Sequence, residues 1–289
     1  MRLAHLIAML FAALLTAPAE AGERFRVTVE GQGPDVILIP GLASSQEVWN
    51  ATAERLRSTH RVHRVRIAGF AGEPAGGNSG GDVAASVAED LAAYIAENRL
   101  RAPAVIGHSL GGEIALMLAA RHPDAVGRVM VVDALPFFSL LIDPAATAET
   151  MRPQADRMRD AMMAQSAEQL AAAQPAMIAR LMKSASGRPA AIAAALASDR
   201  GVTLRAMHEL MVTDLRPELG RITAPLTVLY AWDAAFGIPP PAVDGLFRGA
   251  YRQAAGARLE RIDDSFHFIM VDQPAVFGAA VDRFLGQAR

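Results

Sequence analysis

Cysteine is absent from all 289 residues. Disulfides, thiolate nucleophiles and Cys-based zinc sites are therefore excluded. An excess of one charge is absent too: 28 Lys and Arg face 30 Asp and Glu, a formal net charge of −2. No basic face of the kind that grips nucleic acid is implied by that balance. Aromatic residues are scarce at 6%, yet 52% of the chain is hydrophobic and 20% charged, so it can bury a core and is not disordered. No H-E-x-x-H pattern or carboxylate cluster suggests a metal, and the glycines between Gly69 and Gly81 lack the Lys-Ser/Thr and the spacing of a phosphate-binding loop. That segment reads as a mobile loop beside the mouth of the active site.

The one long apolar run stands at the N-terminus. Arg2 supplies a positive start, Leu3 to Leu15 are apolar apart from His5, and Ala19-Glu20-Ala21 forms a small-x-small site. The run is short for a membrane span and has the layout of a secretory signal. Residues 1–21 are expected to be a signal peptide, residues 22–289 the mature domain, and the location periplasmic or secreted. No stable membrane span is expected after cleavage.

Beyond it, strand-like and helix-like segments alternate. Strands are expected at Phe25–Glu30, Asp35–Pro40, Arg61–Ala68, Ala102–Gly107, Val126–Asp133, Leu226–Trp232 and Arg258–Asp263. Helices fall between them, one capped by Asp82. This alternation predicts an α/β fold with a mainly parallel, doubly wound sheet. From about residue 134 to 221 the pattern is helical, rich in Ala and Met, and punctuated by Pro153, Pro175, Pro189 and Pro217, each expected to break a helix. It reads as a helical cap inserted into the sheet domain.

The sharpest motif is Gly107-His108-Ser109-Leu110-Gly111, lying between an expected buried strand and a helix. G-x-S-x-G in that setting is a nucleophile elbow, a sharp turn that projects Ser109 Oγ above the sheet edge. With these residues the chain resembles the α/β-hydrolase superfamily over almost all of its mature length. The resemblance implies a Ser-acid-His triad in that chain order. Ser109 is then the nucleophile, His267 in Asp-Ser-Phe-His-Phe the general base, and Asp233 after Tyr-Ala-Trp the acid. Asp133, ending an earlier strand, is the rival acid. The same resemblance assigns the oxyanion hole to the backbone N–H groups of Leu42 and Leu110.

The function implied is serine hydrolysis of an ester or related acyl bond through an acyl-enzyme, with no cofactor. The partner expected is a small, apolar acyl substrate and not nucleic acid. An acyltransferase or lyase on the same triad, or a ligand-binding protein that kept the pocket, remains open. Substrate identity, chain length and oligomeric state are not legible in the sequence.

Overall fold

The fold comes from a computed structural model that describes residues 23–286; the expected signal peptide lies outside the described residues. The strands are β1 (Phe25–Glu30), β2 (Asp35–Ile39), β3 (Arg61–Ile67), β4 (Ala104–His108), β5 (Arg128–Val132), β6 (Leu226–Trp232) and β7 (Arg258–Asp263). They form a seven-stranded sheet in the order β1-β3-β2-β4-β5-β6-β7. Only the β1–β3 pair is antiparallel, and the other neighbours run parallel. Central strands β4 and β5 are buried at every position, as expected where helices cover both faces.

Helices α1 (Asn50–Leu56), α2 (Ala84–Glu97) and α3 (Leu110–Arg121) lie in the first half. The insertion between β5 and β6 supplies α4 (Ala148–Ala164), α5 (Ala167–Leu181), α6 (Arg188–Ala197) and α7 (Arg200–Val212). After β6 come α8 (Pro240–Ala250), α9 (Ile269–Asp272) and α10 (Pro274–Gly286). One face of the sheet buries Leu91, Ile114, Leu118 and Phe247 from α2, α3 and α8. The other buries Ala53, Leu56, Ile269 and Phe277 from α1, α9 and α10, with Trp49 beside them. The sheet is doubly wound.

Three local expectations are corrected. Pro153 and Pro175 do not break helices but sit inside α4 and α5, each forfeiting one backbone bond. The breaks fall instead where Thr147 and Ser166 form capping boxes and Asp199 caps α7, while Pro189 sits in the first turn of α6. Asp82 does not cap α2. Glu209 of α7 does so across the fold, its carboxylate accepting from the N–H groups of Val83, Ala84 and Ala85 at 2.7–2.8 Å. A distant residue has taken a role that local reading gives to the nearest carboxylate. The glycine loop is anchored rather than loose: buried Asn78 donates to the carbonyls of Arg24 and Ala68, and Gly72 N–H donates to Ala197.

Candidate active site

Strand β4 ends at His108 and α3 begins at Leu110, so a single residue makes the turn. Ser109 does this at φ 55° and ψ −121°, a conformation costing on the order of 1–3 kcal/mol for a residue with a Cβ. Its surroundings hold it there. Ser109 N–H donates to Val132 O at 3.0 Å, and Ser109 O accepts from Gly112 and Glu113 N–H at 2.7 and 3.2 Å. The strand and helix approach so closely that a Cβ on Gly107 would lie 2.0 Å from Gly111 O. One on Gly111 would lie 2.3 Å from Ile39 O. Glycine is the residue these two positions can accept.

His267 is carried by the loop after β7. Asp264 turns the chain at φ 61°, and Ser265 N–H donates to Trp232 O at 3.3 Å. Phe266 N–H donates to Asp272 at 2.9 Å, while the same carboxylate receives the Ser184 and Lys183 amides at the end of α5. The loop and the helical insertion are thus tied at one point. From beneath, His108 Nε2 donates to His267 O at 3.0 Å with the two rings 4.6 Å apart. Burial holds the His108 imidazole well below the usual histidine range, so the ring under His267 is neutral.

The His267 ring points its Nδ1 at Asp133 Oδ2, 2.7 Å away. The second oxygen of Asp133 accepts from Ala231 N–H at 2.8 Å. Asp133 leaves β5 at φ 49°, with its own N–H on Leu229 O at 2.8 Å, so the carboxylate is fixed from three sides. A proton on Nδ1 shared with a carboxylate leaves Nε2 bare, the tautomer a general base requires.

Two cavities meet at Ser109 and His267. One, about 340 Å³, is roofed by the insertion through Met162, Met177, Ile178 and Met207 and floored by Leu42 and Phe268. The second, about 310 Å³, is lined by Asp133, Phe138, Leu210, Phe247 and Arg180 among others. Both are predominantly apolar, of the size and character that accept small organic ligands. A more open concavity of about 810 Å³ lies before β4 and β5, lined by Arg99, Arg101 and Pro123; it contains none of these residues. Among the described residues no His/Cys/Asp/Glu group is arranged to hold a metal.

A family model described as the alpha/beta hydrolase family matches residues 36–280. The chain belongs to that family. A pimeloyl-[acyl-carrier protein] methyl ester esterase of Aeromonas hydrophila is 29% identical over 273 residues, spanning 90% of this chain and 99% of the relative. An enol-lactonase from Burkholderia xenovorans superposes with a TM-score of 0.74 at 19% identity, covering 94% of this chain and all of that one. An esterase from Exiguobacterium antarcticum gives 0.74 at 18% identity with 94% coverage of this chain and 100% of the other. The chain is thus an α/β-fold hydrolase of the esterase-like kind.

Within this α/β hydrolase, the expected partnership of His267 with Asp233 is corrected. Asp233 accepts from Lys183 Nζ at 2.7 Å and from Ala235 N–H at 2.8 Å, and the ammonium beside it holds its carboxyl below the usual range. The reason is register. Val132 pairs with Leu229 across β5 and β6, which places Asp133 level with Tyr230. Asp233 lies three residues further on, just past the end of β6 and roughly 10 Å higher at the usual strand rise. Ser109 and His267 both line the two cavities. Leu42 lines the same cavity, and Leu110 opens α3, where N–H groups have no intrahelical acceptor.

Sequence reasoning missed two lining residues. Glu113, in the first turn of α3, is 1% exposed and neither carboxyl oxygen has a hydrogen-bond partner of good geometry. Burial, reinforced by the nearby Glu209 carboxylate, pushes its carboxyl well above the usual range and favours its neutral form. The signal was a lone acid inside the apolar run from Leu110 to Ala120. Arg180, in the last turn of α5, carried none.

Proposed function

We propose that this protein hydrolyses carboxylic esters through an acyl-enzyme on Ser109, with His267 as general base and Asp133 as the acid that orients it. The observation carrying this reading is the 2.7 Å bond from His267 to Asp133 beside a Ser held in a strained elbow. His267 Nε2 takes the proton as Ser109 Oγ attacks the ester carbonyl, and Asp133 stabilises the imidazolium that forms. The N–H groups of Leu110 and Leu42 receive the developing oxyanion. Collapse expels the alcohol, which takes the proton from His267. Water, activated by the same imidazole, then releases the acid and restores Ser109. The esterase names of the relatives support the reaction class.

The helical insertion acts as a cap. Its Met-rich underside over Ser109 supplies an adaptable apolar wall for the acyl chain. Export to the periplasm or medium is part of the same proposal, resting on the N-terminal n-h-c layout.

The test is a panel of p-nitrophenyl esters of increasing chain length, together with a fluorophosphonate probe, on wild type and Ser109→Ala. Wild type should turn over at least the short esters and be labelled at Ser109, and the variant should do neither. An unlabelled wild type that cleaves no ester would overturn the reading.

A further inference from the structure

We propose that Arg180 recognises an anionic group on the substrate, so that the preferred esters carry a free carboxylate at the end of an apolar branch. This rests on the ester-hydrolase reading of the site. The cavity of about 310 Å³ is lined by Ser109, Asp133 and His267, by buried Leu135 and Phe247, and by exposed Phe236 and Arg180. A mostly apolar cavity with one exposed arginine in its lining matches an apolar chain that carries an anion.

The charges facing that space make Arg180 stand out. Burial favours the neutral form of Glu113, and Asp133 is engaged by His267. Three residues beyond Arg180, Lys183 takes the carboxylates of Asp233 and Asp264. Some guanidiniums of this chain find carboxylates, as Arg121 does with Glu218 and Arg216 with Asp214, while Arg180 is the arginine that lines a cavity at Ser109. Arg180 forms no ion pair or hydrogen bond with any described residue. Its planar fork of donors fits a carboxylate in a way a point charge does not. Its position in the last turn of α5 also suits the helix dipole. That accounts for a cation there, though not for one lining the reactive cavity.

The experiment compares kcat/KM within two matched pairs, using the mature protein. One pair puts the carboxylate on the acyl branch, monomethyl adipate against methyl hexanoate. The other puts it on the alcohol branch, the butyryl ester of a hydroxy acid against butyl butyrate. The expected result is a preference for the charged member of at least one pair, expressed mainly in KM and weakened by added salt. Arg180→Gln should collapse that preference by about tenfold, the scale of a partly solvated charge-assisted bond. Arg180→Lys should keep part of it. Arg252→Gln, which removes an equal charge outside the cavity lining, should leave the ratio unchanged.

Turnover of neutral and charged members without preference would overturn the inference while leaving the ester-hydrolase reading intact. So would a preference that Arg180→Gln does not alter, or one that Arg252→Gln reduces equally. Failure to cleave either member of both pairs, with Ser109 unlabelled by fluorophosphonate, would bring down both.

Discussion

His267 and Asp133 are separated by 134 positions in the chain, yet Nδ1 of one lies 2.7 Å from Oδ2 of the other. The contact exists because β7 hands the chain to a loop that crosses back over the end of β6 toward β5, pinned by Ser265 on Trp232. If that carboxylate orients the base, its amide isostere should keep the shape and lose the charge. Asp133→Asn is expected to lower kcat on a working ester by about 10²–10⁴ with little change in KM, the scale such a swap has in a serine protease. Asp233→Asn should stay near wild type, since it breaks a partly exposed ion pair with Lys183 worth under about 1 kcal/mol. Steady-state kinetics on the two variants decides between the carboxylates, and a crippled Asp233→Asn beside a healthy Asp133→Asn would reverse the assignment.

Ser109 holds its left-handed conformation against the preference of any residue with a Cβ. Ser109→Gly removes that strain at the expense of a more flexible unfolded chain, worth roughly 0.5–1 kcal/mol the other way. The net expectation is a gain of about 1 kcal/mol, or roughly 2–4 °C in Tm for a domain of this size, with esterase activity abolished. Calorimetry of wild type and variant under one buffer is the check. A variant less stable than wild type would mean that the Ser109 side chain contributes packing that outweighs the strain.

The strands and the elbow were legible because each is a local pattern: a short apolar run, or glycines flanking a serine between strand and helix. The acid was not. Asp133 and Asp233 both follow buried strands, and what separates them is the offset between β5 and β6, a relation between segments almost a hundred residues apart. The α2 cap failed for the same reason, since Glu209 arrives from α7 and outcompetes the neighbouring Asp82. Pro153 and Pro175 misled because the strong capping boxes at Thr147 and Ser166 set where the helices start. Helix propensity could not report that. Arg180 is one arginine among many until the fold sets it in the lining of a cavity that Ser109 also lines.

Export gives a third check. Expressed with its full N-terminus in a Gram-negative host, the protein should be recovered from the periplasm with residues 1–21 removed, as read by intact mass. Recovery of the unprocessed chain from the cytosol would rule this out.

Glu113 gives the last test, and its sign can be worked out. The folded chain keeps this carboxyl protonated, its pKa raised well above the ordinary 4.5, whereas the unfolded chain releases the proton near that ordinary value. Between those two points the native state binds more protons than the unfolded one, so stability falls as pH rises, by up to about 1.4 kcal/mol per unit. His108 acts in the opposite direction. Held neutral when folded, it lets the unfolded chain bind the extra proton below about 6.5, so its contribution is lost as pH falls. Wild-type stability alone would mix the two. The difference between Glu113→Gln and wild type removes the His108 contribution, which both proteins share. That difference should move in favour of the variant from about pH 4.5 upward, whatever its offset at acid pH from burying the extra amide donor. Urea unfolding of both proteins at several pH values between about 4.5 and 8 measures it. A difference independent of pH would mean that Glu113 titrates alike in the folded and unfolded chains, and that the carboxyl at the back of the Arg180 cavity is an anion after all. An anion there would repel the carboxylate that Arg180 is positioned to receive.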